Sequence, residues 1–168
     1  MTNNISKSRS KTRVLLALSI ALAACSPVSE GQARNSHTAP VHHALSNLLV
    51  IPLTTVHAGK RHTFRVEVAA SEAEQEQGLM FRTAMGADEG MIFPMVPPRQ
   101  AAFWMKNTVM PLDIIFIGAD HRVLNIAANA VPYSLVPLPS RGVAAGVLEL
   151  YAGRAKALGQ VAGDRVEW

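Results

Sequence analysis

Hydrophobic and polar positions change period several times along the 168-residue chain. Over residues 61–68 they alternate, with Phe64, Val66 and Val68 on one side and Thr63, Arg65 and Glu67 on the other. That period of two predicts a half-buried strand. Ser71-Glu72-Ala73-Glu74 follows. This is a capping box, in which the Ser71 hydroxyl accepts from the Glu74 N–H and the Glu74 carboxylate reaches back. Glu72, Glu74 and Glu76 then complement the dipole of a short helix over 72–77, which Gly78 stops. Short apolar runs at 90–93 and 101–105 predict strands separated by Pro94, Pro97 and Pro98. The nearly unbroken apolar run 112–117 predicts a central strand buried on both faces. Ala119-Asp120-His121 turns the chain into 122–128 as a hairpin, and 143–150 reads as a further strand. Residues 153–158 form a helical turn closed by Gly159, and Gly163-Asp164 turns into a last strand over 165–168. Residues 48–56 are apolar and β-branched enough for a first strand or a clinging arm. The expected fold is mainly β with a minor α+β character: a small β-barrel or strongly curved antiparallel sheet with one or two short helices.

The N-terminal segment follows another logic. Lys7, Arg9, Lys11 and Arg13 precede an apolar run over 14–24 that ends in Leu22-Ala23-Ala24-Cys25. A basic region before an apolar stretch this short matches a secretory signal rather than a span of roughly 20 residues. The last four residues resemble the bacterial lipobox, in which the Cys receives a diacylglycerol and the leader is cut before it. The alternative is an ordinary signal peptide cut after Ala23 or Ala24, leaving a free thiol. Ser26 in place of Asp resembles Gram-negative lipoproteins sorted to the outer membrane. The expected location is therefore the cell envelope, on the periplasmic face of the outer membrane in a Gram-negative host. Residues 26–47 are rich in Pro, Ser, Asn and Gln and predict a flexible tether. The expected organisation is a signal peptide over 1–24, the lipidated Cys25 and tether over 25–47, and one domain over 48–168.

Charge and composition narrow the function classes. The formal net charge is +4, from 16 Lys+Arg against 12 Asp+Glu, but four of the bases lie in the leader and the remainder balances. A neutral mature chain argues against nucleic acid as a partner. One Cys excludes a disulfide framework and a Cys-based zinc site. His37, His42 and His43 fall in the expected tether, which does not preorganise a metal site. There is no Walker-type loop, no Gly-x-Ser-x-Gly elbow and no His-Glu-x-x-His helix. No cofactor or metal is expected. Met80, Met85, Met91, Met95, Met105 and Met110 crowd one stretch. Thioethers bind Cu(I) but also fill cores.

Six motifs occur in order: Gly78-Leu79-Met80-Phe81-Arg82, Gly90-Met91-Ile92-Phe93, Phe103-Trp104-Met105-Lys106-Asn107-Thr108, Pro111-Leu112-Asp113-Ile114-Ile115-Phe116-Ile117, Leu148-Glu149-Leu150 and Gly163-Asp164-Arg165-Val166. Together, over residues 59–168, they resemble the DUF192 family of small bacterial and archaeal domains often found behind signal peptides. The resemblance implies a compact, mostly β fold and does not point to an activity. The sequence departs from the family pattern at Asp120-His121, where Asp-Gly is usual, so His121 is expected to take a left-handed conformation at some cost.

The densest polar cluster is Trp104, Lys106, Asn107, Thr108 and Asp113, with Arg82 and Glu149 the other charges embedded in apolar motifs. As a pocket, Trp104 is a stacking platform, Lys106 and Arg82 are donors, Asn107 is a bidentate amide, and Asp113 and Glu149 are acceptors. Such a set suits a glycan or another small envelope molecule. The structural alternative pairs Lys106 with Asp113 and Arg82 with Glu149 as ion pairs, since a charge in an apolar strand needs a partner. The expected role is a lipid-anchored binding or accessory module. The alternatives are an envelope hydrolase using Asp113 and Glu149, a structural or partner-docking protein, and a Met-based copper protein.

Overall fold

The computed structural model describes residues 39–168. The leader, Cys25 and His37 lie outside them. The elements run β1 (Val41–His42), β2 (Leu49–His57), β3 (Lys60–Val68), α1 (Glu72–Gln77), β4 (Glu89–Phe103), β5 (Leu112–Gly118), β6 (Val123–Ala130), β7 (Leu138–Tyr151), α2 (Arg154–Ala157) and β8 (Arg165–Glu167). The strands form one sheet in the order β1-β2-β3-β4-β7-β5-β6, with β8 added to the free edge of β2. The sheet curls into a half-barrel. β8 also bridges Arg122 through Arg165, and Val166 N–H donates to the His121 carbonyl at 2.9 Å, drawing the start of β6 towards β2.

The centre is held by β5 with residues 90–93 of β4 and 146–150 of β7, stretches buried on both faces. Every residue of β5 is buried. Ile114 and Phe116 join one apolar cluster with Met91, Phe93 and Val147. Ile115 and Ile117 join a second with Ile92, Leu148 and Phe64. Alternation along β4, β5 and β7 thus feeds two cores rather than one core and one solvent face. Five of the clustered methionines (Met85, Met91, Met95, Met105 and Met110) pack in the first of them, as flexible apolar filler.

α1 carries the expected capping box, Ser71 Oγ accepting from Glu74 N–H and Glu74 Oε2 from Ser71 N–H. These bonds hold the Glu74 carboxyl below its ordinary pKa, the Ser71 backbone bond contributing most. His121 takes the left-handed conformation, with φ of 60°.

The structure departs from the sequence expectations in four places. The chain joins the sheet before residue 48: β1 pairs with Leu49 and Val50, and Asn47 adopts a left-handed turn that folds 41–47 back. β3 and β4 run parallel, because α1 carries the chain across rather than a tight hairpin. The run 90–93 and residues 101–103 of the second run belong to one strand, which ends at Phe103. Its prolines are absorbed by register shifts between Pro94 and Arg99, where the missing N–H breaks the ladder instead of ending it. Glu67, expected on a solvent face, is 4% exposed.

Glu67 is buried because three segments converge on it. Arg82 grips its carboxylate bidentately at 2.9 and 3.0 Å, Ser46 Oγ donates to it, and His43 Nδ1 lies 3.6 Å away. The Arg82–Glu149 ion pair of the structural alternative is therefore not formed. Arg82 instead fastens the loop after α1 to β3 and the N-terminal arm. Arg82→Ala leaves Glu67 buried without its counter-charge and should cost about 3–5 kcal/mol, read as a lower midpoint in denaturant unfolding. A change below about 1 kcal/mol would mean that the pair is screened like a surface one.

Candidate functional site

β7 lies between β4 and β5, so its residues 146–150 have a neighbour on both sides. Glu149 stands opposite Met91 and Ile114, both fully buried. Alternation sends its side chain into the first core, away from Leu148 and Leu150. The residue is 5% exposed, and its carboxyl oxygens have no hydrogen-bond or ion-pair partner among the described residues. Burial alone pushes its pKa up to about 8. At neutral pH it is a protonated acid, able to donate one hydrogen bond and accept others.

The Glu149 side chain reaches a cavity of about 290 Å³. The volume is at the lower end for small-molecule sites. Leu79, Met80, Phe93, Met95 and Phe103 form apolar walls. The Phe103 ring meets Phe93 edge-on at 5.0 Å, which fixes that wall. One rim comes from α1. There Gln75 Nε2 donates to the carbonyls of Ala69 and Pro94, and its Oε1 accepts from Arg99 at 3.4 Å. The other rim is the Trp104–Thr108 stretch. Trp104 is 51% exposed, and Lys106 Nζ lies 5.3 Å from its ring centroid. This cation–π contact holds an ammonium at the mouth.

Of the seven residues singled out by sequence, the cavity brings together Trp104, Lys106, Thr108 and Glu149. The other three build its frame. Asp113 is fully buried, and its two oxygens accept from the backbone N–H groups of Asn129 and Ala155, each at 2.9 Å. It ties β5 to β6 and caps the first turn of α2, and it forms no pair with Lys106. Asn107 has φ of 54°, accepts from Phe81 N–H at its carbonyl and directs its amide to Met80 Sδ at 3.7 Å. Arg82 is engaged with Glu67.

The carboxylate-pair hydrolase is excluded by register. Glu149 faces Ile114, whereas Asp113 faces Leu150, so the two acids point to opposite faces of the sheet and cannot flank one bond. Among the described residues no three His, Cys, Asp or Glu side chains converge as a metal site. Sequence reasoning missed the walls Phe93, Met95 and Phe103 and the rim residues Gln75 and Arg99. Their signal was the proline-interrupted run 90–103, which read as two strands and gave no hint of a shared concave face.

The DUF192 family, described as Uncharacterized ACR, COG1430, matches residues 54–168. A crystal structure of a protein of unknown function from Novosphingobium aromaticivorans is 55% identical. That likeness covers 79% of this chain and 94% of that one, with a TM-score of 0.76. A protein from Sinorhizobium meliloti, described as a candidate transcription regulator, is 42% identical over 71% of this chain and 94% of its own, with a TM-score of 0.70. No curated protein matches the chain.

The raised pKa of Glu149 fixes a pH dependence. In the unfolded chain the carboxyl ionises near 4.5, whereas in the fold it holds its proton to about 8. Between those values the folded state binds more protons, so stability is full below about 4.5, falls as pH rises and levels off above about 8. Glu149→Gln, which keeps the shape and remains neutral, should remove this decline and be the more stable protein at pH 9. Equal slopes for the two proteins in chemical unfolding across pH 5–9 would refute the assignment.

Proposed function

The chain belongs to the DUF192 family, and on that premise we propose that it is a lipid-anchored binding module of the cell envelope that holds a small, neutral, hydroxyl-bearing molecule in the Glu149 cavity. The observation that carries this reading is the buried Glu149 carboxyl, which faces a cavity and has no partner among the described residues. An acid buried without a partner is a cost the fold has no structural reason to bear, and such groups cluster at functional sites. A hydroxyl both donates and accepts and so answers a neutral acid on both counts. The apolar walls disfavour a full charge beside it. Trp104 offers a face for the C–H side of a sugar ring, and Lys106 and Arg99 supply donors at the rim. A glycan fragment of the envelope meets these requirements.

The same acid favours a second reading, an enzyme in which Glu149 is a general acid, because a carboxyl held protonated at neutral pH is suited to proton transfer. The regulator description of the Sinorhizobium relative gains no support here. The described residues hold as many acidic as basic side chains, and exposed bases such as Arg61 are engaged with acids such as Glu167.

Titrating the protein with N-acetylglucosamine and octyl β-glucoside, read by Trp104 fluorescence, should show saturable binding. Glu149→Leu should abolish it and Glu149→Gln retain it. Binding indifferent to both changes, or absent throughout, would sink the reading. Turnover lost in Glu149→Gln while binding persists would establish the enzyme instead.

The anchor is proposed from the Leu22-Ala23-Ala24-Cys25 sequence, with the periplasmic face of the outer membrane as its site in a Gram-negative host. Expression in cells fed radiolabelled palmitate should label the wild-type chain and leave Cys25→Ser unlabelled. Equal labelling of the two, or none of either, would remove the anchor.

A further inference from the structure

Three loops around the cavity mouth are joined by backbone hydrogen bonds. Phe81 N–H donates to the Asn107 carbonyl at 2.8 Å, Tyr133 N–H to the Thr108 carbonyl at 3.2 Å, and Met105 N–H to the Ser134 carbonyl at 2.9 Å. The crest they form exposes Phe81, Trp104, Val109, Tyr133, Leu135 and Val136, each at least 36% accessible and four of them above 60%. Exposed apolar side chains gathered on loops joined in this way mark an interaction surface.

Backbone strain adds a second, independent observation. Phe81, Asn107 and Tyr133 all have positive φ, at 60°, 54° and 62°. That region disfavours bulky aromatic residues and persists only where the surroundings impose it. Two of the three strained positions hold exposed aromatic rings. The same backbones carry the hydrogen bonds that join the loops, so the strained conformations hold the Phe81 and Tyr133 rings in fixed, exposed positions.

The chemistry of the crest selects its occupant. Residues 79–84, 104–110 and 131–137 contain no Asp or Glu, and their charges are Lys106 and Arg82. Arg82 is engaged with Glu67 behind the crest, so Lys106 is the free charge. A protein partner is commonly met with mixed charge and a polar rim. Trp and Tyr beside aliphatic residues, with the Lys106 ammonium over the Trp104 ring, is the composition of a membrane–water interface. Lys106 gives the three loops a positive charge with no carboxylate among them, which complements anionic phospholipid headgroups, while Glu72 and Glu76 belong to the α1 side of the cavity.

We propose that this crest docks on an anionic phospholipid bilayer, with Trp104 and Tyr133 at headgroup depth and Lys106 among the phosphates. Trp104 and Lys106 also line the Glu149 cavity, as do Glu72 and Glu76 of α1, so docking sets only the crest side of the cavity mouth against the lipid. The surface stands on the three loops and does not depend on an acyl group at Cys25 or on a ligand in the cavity.

The test uses the full chain carrying Cys25→Ser, so that no acyl anchor contributes. It is mixed with vesicles of phosphatidylglycerol and phosphatidylethanolamine brominated near the headgroup end of the acyl chains. Trp104 emission should shift to the blue in unbrominated vesicles and lose most of its intensity in brominated ones. Trp104→Phe should remove that quenched component and leave Trp168. Lys106→Glu should weaken association about thirtyfold, as expected for a change of two charge units at an anionic surface. Trp104 emission that vesicles leave unchanged overturns the proposal, even if the leader binds the lipid. In that case a blue shift on adding envelope proteins would assign the crest to a protein partner.

Discussion

A carboxyl taken out of water without a counter-charge or donor is among the most costly groups a core can hold, and it escapes by keeping its proton. Glu149 does so because β7 is flanked on both edges and alternates into two apolar clusters. Its position leaves it no route to solvent except the cavity. The arrangement of the site follows from this constraint. The double-sided centre of β4, β7 and β5 makes the acid neutral, and the strained loops beyond Phe103 bring Trp104 and Lys106 to the opening.

The other acids of the domain mark the contrast. Glu67 is as buried as Glu149, yet Arg82, Ser46 and His43 meet it and make it a fastening for three segments. Asp113 is more buried still, and two backbone N–H groups occupy both its oxygens. Asp88, on the surface, is held below its ordinary pKa first by His62 and then by Arg154. Each has a structural role visible in its partners. Glu149 alone among these buried acids has an open space where a partner would be.

Much of the fold was legible in the sequence because its signals are local. The Ser71–Glu74 box, the apolar run of β5 and the Asp120-His121 turn each depend on neighbours within a few residues. The parallel β3–β4 pairing and the docking of β1 depend on where α1 and Asn47 send the chain, which no short window contains. The site was legible in its membership more than in its geometry. Trp104, Lys106, Thr108 and Glu149 stood out as polar groups in apolar motifs, and they line one cavity. Arg82 and Asp113 stood out by the same rule but are satisfied by partners far along the chain or on the backbone. Charge in an apolar context therefore identified buried polar groups, and only the three-dimensional partners separated the fastened ones from the free one.

The most direct measurement is the titration of the Glu149 carboxyl itself, by carbon NMR of protein labelled at the glutamate side-chain carboxyl and assigned with Glu149→Gln. An inflection near pH 8 is the result that a lone, buried acid requires. An inflection near 4.5, the ordinary value for glutamate, would mean that the group is solvated or paired, and the cavity would lose the residue that defines it.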